Sequence, residues 1–180
     1  MNFIVDIDNI TSSFDSIAKK LLLGHVICIN DKDIELTEIE FYYFHEKKHP
    51  DNYTHPHNRQ AGQWRLHKQG IDLTFDGTTK GQDGGILIRG IKMDNKFING
   101  PIRCLAALFE AMQDAQEKNY FILKHKRLID SEIIKTFRHL PNKVQYKDFH
   151  LKKYRYLKDF ENLIIHTKDK NRIKSDYQTL

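Results

Sequence analysis

An α+β fold in a single domain follows from two amphipathic stripes at helical spacing, a hairpin of alternating strands, and a short apolar strand bounded by glycines. The chain has 180 residues, 39% hydrophobic and 29% charged. That is enough to bury one core, and the domain is placed at 1–165 with a polar C-terminal tail over 166–180. Ser12 or Ser13 caps a helix that runs to about Leu23, with Gly24 as its stop. Its core stripe is Phe14, Ile17, Ala18, Leu21 and Leu22. His25 to Ile29 reads as a strand, Asn30 to Asp33 as a turn, and Ile34 to Tyr43 as the returning strand.

Downstream, residues 45–62 are polar, with Pro50 and Pro56. A connection of this length is unusual unless it serves a function. Trp64 to His67 and Gly70 to Phe75 are short strands, and Ile86 to Ile91 is a buried one. Asn99-Gly100-Pro101 opens a helix with proline in its first turn, where a missing N–H costs nothing. Ile102, Leu105, Ala106, Phe109 and Met112 form its predicted apolar stripe. Tyr120 to Leu123 suits a strand, Asp130 to Leu140 a short helix ended by Pro141, and the segment from His166 is expected to fray.

Several function classes are excluded. No apolar run approaches the ~20 residues that span a bilayer. The N-terminus lacks a basic start and an apolar signal core, which points to the cytoplasm. Cys28 and Cys104 stand in apolar surroundings and read as buried free thiols. No phosphate-binding glycine loop and no nucleophile elbow is present. His55-Pro56-His57 with Asp51 is poorly spaced for chelation, so neither a metal nor a cofactor is expected. Charge is uneven. Residues 1–120 hold 14 Lys and Arg against 17 Asp and Glu, whereas residues 121–180 hold 15 against 7. A basic final third suits either a phosphate backbone or a solvated lysine surface.

The strand Glu38 to Tyr43 carries the first chemical signal. Alternation places Ile39, Phe41 and Tyr43 on one face and Glu38, Glu40 and Tyr42 on the other. Two carboxylates beside a phenol suit a pocket for a flat ligand where water is activated; the alternative is an ordinary solvated face. Arg89 is the second signal. It interrupts an apolar strand on the face of Leu87 and Ile91, and such a guanidinium needs a carboxylate, a phosphate or bound water. An ion pair with Glu38 and a ligand contact are both open.

In order and spacing these pieces resemble the alkyladenine (3-methyladenine) DNA glycosylase family, mainly over residues 20–110. Glu38, Glu40 and Tyr42 match its Glu-x-Glu-x-Tyr strand. Leu87-Ile88-Arg89-Gly90 matches its apolar strand ending in arginine, and Asn99-Gly100-Pro101 its helix start. Residues 64–89 align with the family pattern without a gap, and Arg155-Tyr156-Leu157 echoes a closing aromatic strand.

The resemblance implies a curved, mainly antiparallel sheet with packed helices. It also implies hydrolysis of the N-glycosidic bond of a modified purine flipped out of DNA. A monomer is expected. On the same basis Glu40 is the base that activates water, and Arg89 holds that water or a phosphate. Tyr42 and Glu38 belong to the base pocket, as does His55 (or His49). Departures fall at the recognition end. Gln69 stands at the duplex-wedge position, Leu66 replaces a stacking ring, and Asp76 replaces a pocket amide. Lys152, Lys153 and Arg155 are assigned to phosphate contacts. Loss of the wedge keeps two alternatives open: a base-binding module without turnover, and a hydrolase of free nucleosides or nucleotides.

Overall fold

The computed structural model describes residues 3–112 and 118–180. Helix α1 (Ile10–Gly24) leads into β1 (His25–Ile29) and β2 (Lys32–His45). Then come β3 (His49–Pro50), β4 (Trp64–His67), β5 (Gly70–Thr74), β6 (Gln82–Met93) and β7 (Lys96–Asn99). After α2 (Pro101–Glu110) the chain forms β8 (Phe121–His125) and β9 (Ile133–Thr136). It ends with β10 (Arg155–Lys158), α3 (Thr167–Lys174) and β11 (Gln178–Thr179).

Together these give an α+β chain with a large antiparallel sheet, in the order β11-β9-β10-β2-β6-β5-β4. β1, β3 and β10 take successive stretches of the β2 edge that faces away from β6. Long and central, β2 therefore carries its side chains into the middle of the molecule.

The α1 stripe is the one expected: Phe14, Ile17, Ala18, Leu21 and Leu22 are all buried. Phe14 stacks on Phe41 at 4.6 Å and meets Tyr154 edge-on at 4.9 Å, so α1 is bolted by rings to β2 and to the residue that leads into β10. Ile39, Phe41 and Tyr43 join this core. Cys28 and Cys104 are buried free thiols. Among the described residues no helix is long and apolar enough to cross a membrane.

Three expectations are corrected. The helix expected over residues 130–140 is replaced by β9, because Ile133, Ile134 and Thr136 are β-branched and their χ1 stiffness suits a pleated surface. Residues 166–180 do not fray; they form α3 and β11. The His166 side chain accepts from the Lys168 N–H, Asp169 lies in the first turn of α3 and Arg172 and Lys174 in the last, complementing the helix dipole. Ile173 seats α3 in a second small core with Ile134, Leu157 and Leu163. On α2 the buried face is Cys104, Ala107 and Leu108, continued by Ala111, while Ile102 and Phe109 are exposed. This helix is apolar nearly all round, so periodicity offered two stripes. The one with smaller side chains lets the helix approach β5 and β6 closely.

Candidate functional site

The strand β2 turns two carboxylates inward. Glu38 and Glu40 are each only 1% exposed, so the face opposite the aromatic core is not solvated. Charges so placed must be paired. Glu38 Oε1 accepts from Arg89 Nε at 2.9 Å and from Arg155 Nε at 2.8 Å, and Glu38 Oε2 accepts from Asn99 Nδ2 at 3.1 Å. Glu40 Oε2 accepts from the Tyr42 hydroxyl at 2.8 Å. Glu40 Oε1 lies 3.3 Å from Arg89 Nε, yet it receives no directed hydrogen bond from the described residues.

Local irregularities build this cluster. The β2–β6 register shifts on both sides of Glu38, leaving Thr37 as an extra residue on β2 and Arg89 as one on β6. The bulge at Arg89 changes the parity of β6: Ile86, Ile88 and Ile91 enter the core, while Leu87 and Arg89 share the other face. The expectation that Ile91 shares a face with Arg89 is corrected by this bulge. Gly90 makes the close approach possible. A Cβ there would lie 2.7 Å from Glu38 Cβ and 2.8 Å from Asn99 Nδ2.

A cavity of about 540 Å³ opens beside the cluster, a size typical of small-molecule sites. Its floor follows the sheet. Glu40 pairs across the ladder with Leu87, Leu87 with Asp72, and Asp72 with Arg65. Side chains opposite one another in register share a face. Tyr42, Leu87, Arg89, Asp72 and Arg65 line the cavity, whereas Glu38 and Glu40 stand behind Tyr42 and Arg89. Tyr53 and Tyr146 meet edge-on at 4.8 Å and form an aromatic corner on its wall.

The electrostatics are those of an enclosed ion cluster. Burial works against charge on Arg89, but Glu40 and Glu38 outweigh it and hold the guanidinium above its usual range. Burial, and then the adjacent Glu40, push the Tyr42 phenol well above its ordinary value, so Tyr42 stays protonated and donates a hydrogen bond to the carboxylate. His55 is held below the ordinary histidine value by burial and by Arg65, which favours a neutral ring.

The predicted site residues fall into two groups. Tyr42, Arg89, His55 and Gln69 meet at the cavity, and Gln69 sits in the two-residue turn between β4 and β5. His49 does not: it is buried in the core between the Tyr43 carbonyl at 2.7 Å and the Tyr154 hydroxyl at 3.0 Å. Leu66 is 50% exposed on the opposite face of β4 from Arg65 and His67, away from the cavity. Asp76 is also outside it, held by the hydroxyls of Thr78 and Thr79 at 2.7 Å each. Arg155 is corrected from a phosphate contact to a buried partner of Glu38 and Asp169. Lys153 is turned to Asp176, and Lys152 is exposed away from the cavity.

The basic final third has an internal destination. Lys158 pairs with Glu35, Arg138 with Asp51, Lys135 with Asp15, and Lys124 and Lys126 with Asp33. Much of the charge asymmetry is thus one end of the chain neutralising the other.

Sequence reasoning missed Asp72, His67, Arg65 and Tyr53, although strict alternation along β4 and β5 would have placed the first three on one face. It also missed Arg138. This side chain is 0% exposed, and its guanidinium lies 4.7 Å from the Tyr42 ring centre and 5.8 Å from that of Tyr53. No family model, curated protein or solved structure matches this chain. What the site does therefore rests on its own chemistry.

Proposed function

We propose that the chain is a glycosylase-like hydrolase of an alkylated or otherwise modified purine in DNA, with Glu40 as the base that activates water. The observation that carries this reading is the asymmetry of the Glu40 carboxylate. One oxygen is anchored by Tyr42 while the other has no directed donor among the described residues, and both groups that screen it, Tyr42 and Arg89, border a cavity large enough for a purine. A carboxylate fixed at one oxygen is ready to accept a proton at the other. In the step, a water held by Arg89 attacks C1′ and passes its proton to Glu40. The N-glycosidic bond breaks, and its electron pair leaves with the purine. Alkylation makes the purine a good leaving group, and the buried carboxylate stabilises the positive charge developing on the sugar.

Tyr42, which lines the cavity with Arg138 packed against its ring, would stack on the base, with the Tyr53–Tyr146 corner as a further apolar surface. Lys68 and Gln69, at the exposed tip of the β4–β5 hairpin, and Lys143, exposed at the rim, would meet the nucleic acid. The antiparallel sheet and the Asn99-Gly100-Pro101 helix start support kinship with the alkyladenine glycosylase fold. On this reading the protein is a cytoplasmic monomer whose partner is DNA.

A second reading has its own support. Glu40 is 1% exposed, close to Arg89 and 3.9 Å from Arg155, as a structural ion cluster would be. The same cavity would then bind a base without turnover. Base release from an oligonucleotide carrying one alkylated purine separates the two. Glu40→Gln should lower the rate by about 10²- to 10⁴-fold, the usual contribution of a general base. Absence of release by the unmodified chain from duplex, single strand and nucleoside would leave binding as the function.

A further inference from the structure

Beyond the carboxylate cluster, the far end of the cavity floor carries a polar group of its own. Asp72 and His67 both line it, with Asp72 Oδ2 3.1 Å from His67 Nε2 and 3.6 Å from Arg65 Nη1. Their side chains are 13% and 17% exposed. Asp72 stands opposite Leu87 in the floor row, so its carboxylate is presented on the same face as Tyr42 and Arg89.

The hydrogen placement on His67 follows from its neighbours. His67 Nδ1 accepts from the Gln69 backbone N–H at 3.3 Å. In the neutral ring the proton is therefore on Nε2. That nitrogen is buried and has no hydrogen-bond partner among the described residues, because its direction misses Asp72 despite the short separation. A buried donor without an acceptor costs stability unless a ligand supplies one. This end of the cavity thus offers the His67 Nε2–H donor next to a carboxylate that only accepts, with Arg65 beside them donating to the His55 and Pro56 carbonyls at 3.2 and 3.4 Å.

We infer that Asp72 and His67 are specificity determinants that select purines with a guanine-type edge. This rests on the reading of the cavity as a purine site. Guanine presents O6, N1–H and the exocyclic amino group in a row, an acceptor followed by two donors. His67 donates to O6, and the two oxygens of Asp72 take N1–H and the amino group, a three-point match. Hypoxanthine keeps O6 and N1–H but lacks the amino group. Adenine offers one acceptor and one donor, so one Asp72 acceptor is left unmet. A site built to hydrogen-bond such groups rejects the analogue that lacks them more strongly than an apolar pocket does. The carboxylate that sets the polarity of this edge is therefore Asp72 on β5, and not Asp76, which is bound up with its own turn.

Calorimetric titration of the full chain with deoxyguanosine, deoxyinosine and deoxyadenosine tests the inference without needing turnover. Deoxyguanosine should bind about 10- to 100-fold more tightly than deoxyadenosine, with deoxyinosine between them. Asp72→Asn should abolish that order at a temperature where circular dichroism shows the variant folded, and His67→Phe should narrow it. Equal or tighter binding of deoxyadenosine by the unmodified chain overturns the inference and needs no variant. A preference for deoxyguanosine that survives Asp72→Asn overturns the assignment of these residues. Binding of no nucleoside overturns both this inference and the purine reading. The expected order in a chain that releases no base from DNA upholds the subsite and rejects hydrolysis, so the two failures are distinct.

Discussion

Arg138 and Arg89 both bring a buried guanidinium close to Tyr42, yet their surroundings are opposite. Arg138 is wholly enclosed. Its Nη groups reach Asp51 at 2.7 Å and the carbonyls of Phe41 and Phe149 at 3.0 Å each. Among the described residues its Nε finds no acceptor, and the guanidinium lies among the rings of Tyr42, Tyr53 and Tyr154. Arg89 is 22% exposed, lines the cavity, and faces a carboxylate with one oxygen unbonded. A buried charge closed on every side holds a fold together. One left open on a single side is positioned for a ligand, at some cost to stability.

On that distinction, breaking the enclosed pair should cost the most stability. Asp51→Asn leaves Arg138 buried without a counter-charge, and about 3–5 kcal/mol of folding stability should be lost, read from urea denaturation. Glu40→Gln should cost less, because Arg89 and Arg155 keep Glu38 as a partner. Equal losses in the two variants would erase the contrast and make the Glu40 cluster an ordinary structural ion pair.

A smaller effect is expected where the open cluster is assembled. In Gly90→Ala the new methyl group meets Glu38 Cβ and Thr37 Oγ1 at 2.7 Å each, and neither is the free end of a flexible side chain. Overpacking of this kind costs about 1–3 kcal/mol. Because the displaced residue is Glu38, which positions Arg89, binding at the cavity should weaken even under conditions where the variant is fully folded. A variant that loses stability but binds the nucleosides as tightly as before would show that Glu38 and Arg89 do not shape the cavity.

These contrasts also explain what could be seen in the residues alone. The α1 stripe, the β1–β2 hairpin and the polarity split of β2 were legible because each is a local periodicity. Glu38, Glu40, Tyr42 and Arg89 stood out because charges inside apolar strands are rare. Arg138 did not, since it sits in a stretch whose helical look hid the β-branched run of β9. The bulge at Arg89 was invisible because it depends on how two distant strands fit, and it alone moves Ile91 to the other face. Arg155 misled for a related reason: a cation near the C-terminus looks solvated until the sheet sets it against Glu38, 117 residues earlier. Charge balance by segments of the chain says nothing about which charges meet.

The smallest effect is a pH dependence on the enclosed side of Tyr42. His49 bonds the Tyr154 hydroxyl, whose ring in turn faces Arg138. Burial holds His49 below the ordinary value of 6.5, against a smaller opposing pull from the Tyr43 carbonyl. In the unfolded chain it titrates near that ordinary value. As pH falls below about 6.5 the unfolded state takes up a proton that the folded state refuses, so stability declines, and the decline from this group ends once pH passes the lower folded value. The slope is at most about 1.4 kcal/mol per pH unit for one proton. Asp76, held well below the carboxylate range by Thr79 and Thr78, acts in a separate window. Its contribution is present above its ordinary value of 3.8 and is lost only at more acid pH. Urea midpoints measured from neutral pH down to about pH 5 therefore exclude Asp76 and report His49 together with His55, which burial and Arg65 also hold below the ordinary value. His49→Gln should reduce the slope of that segment whatever its absolute stability, leaving the share that belongs to His55. A slope as steep in the variant as in the unmodified chain would mean that His49 is not held neutral by the enclosed cluster.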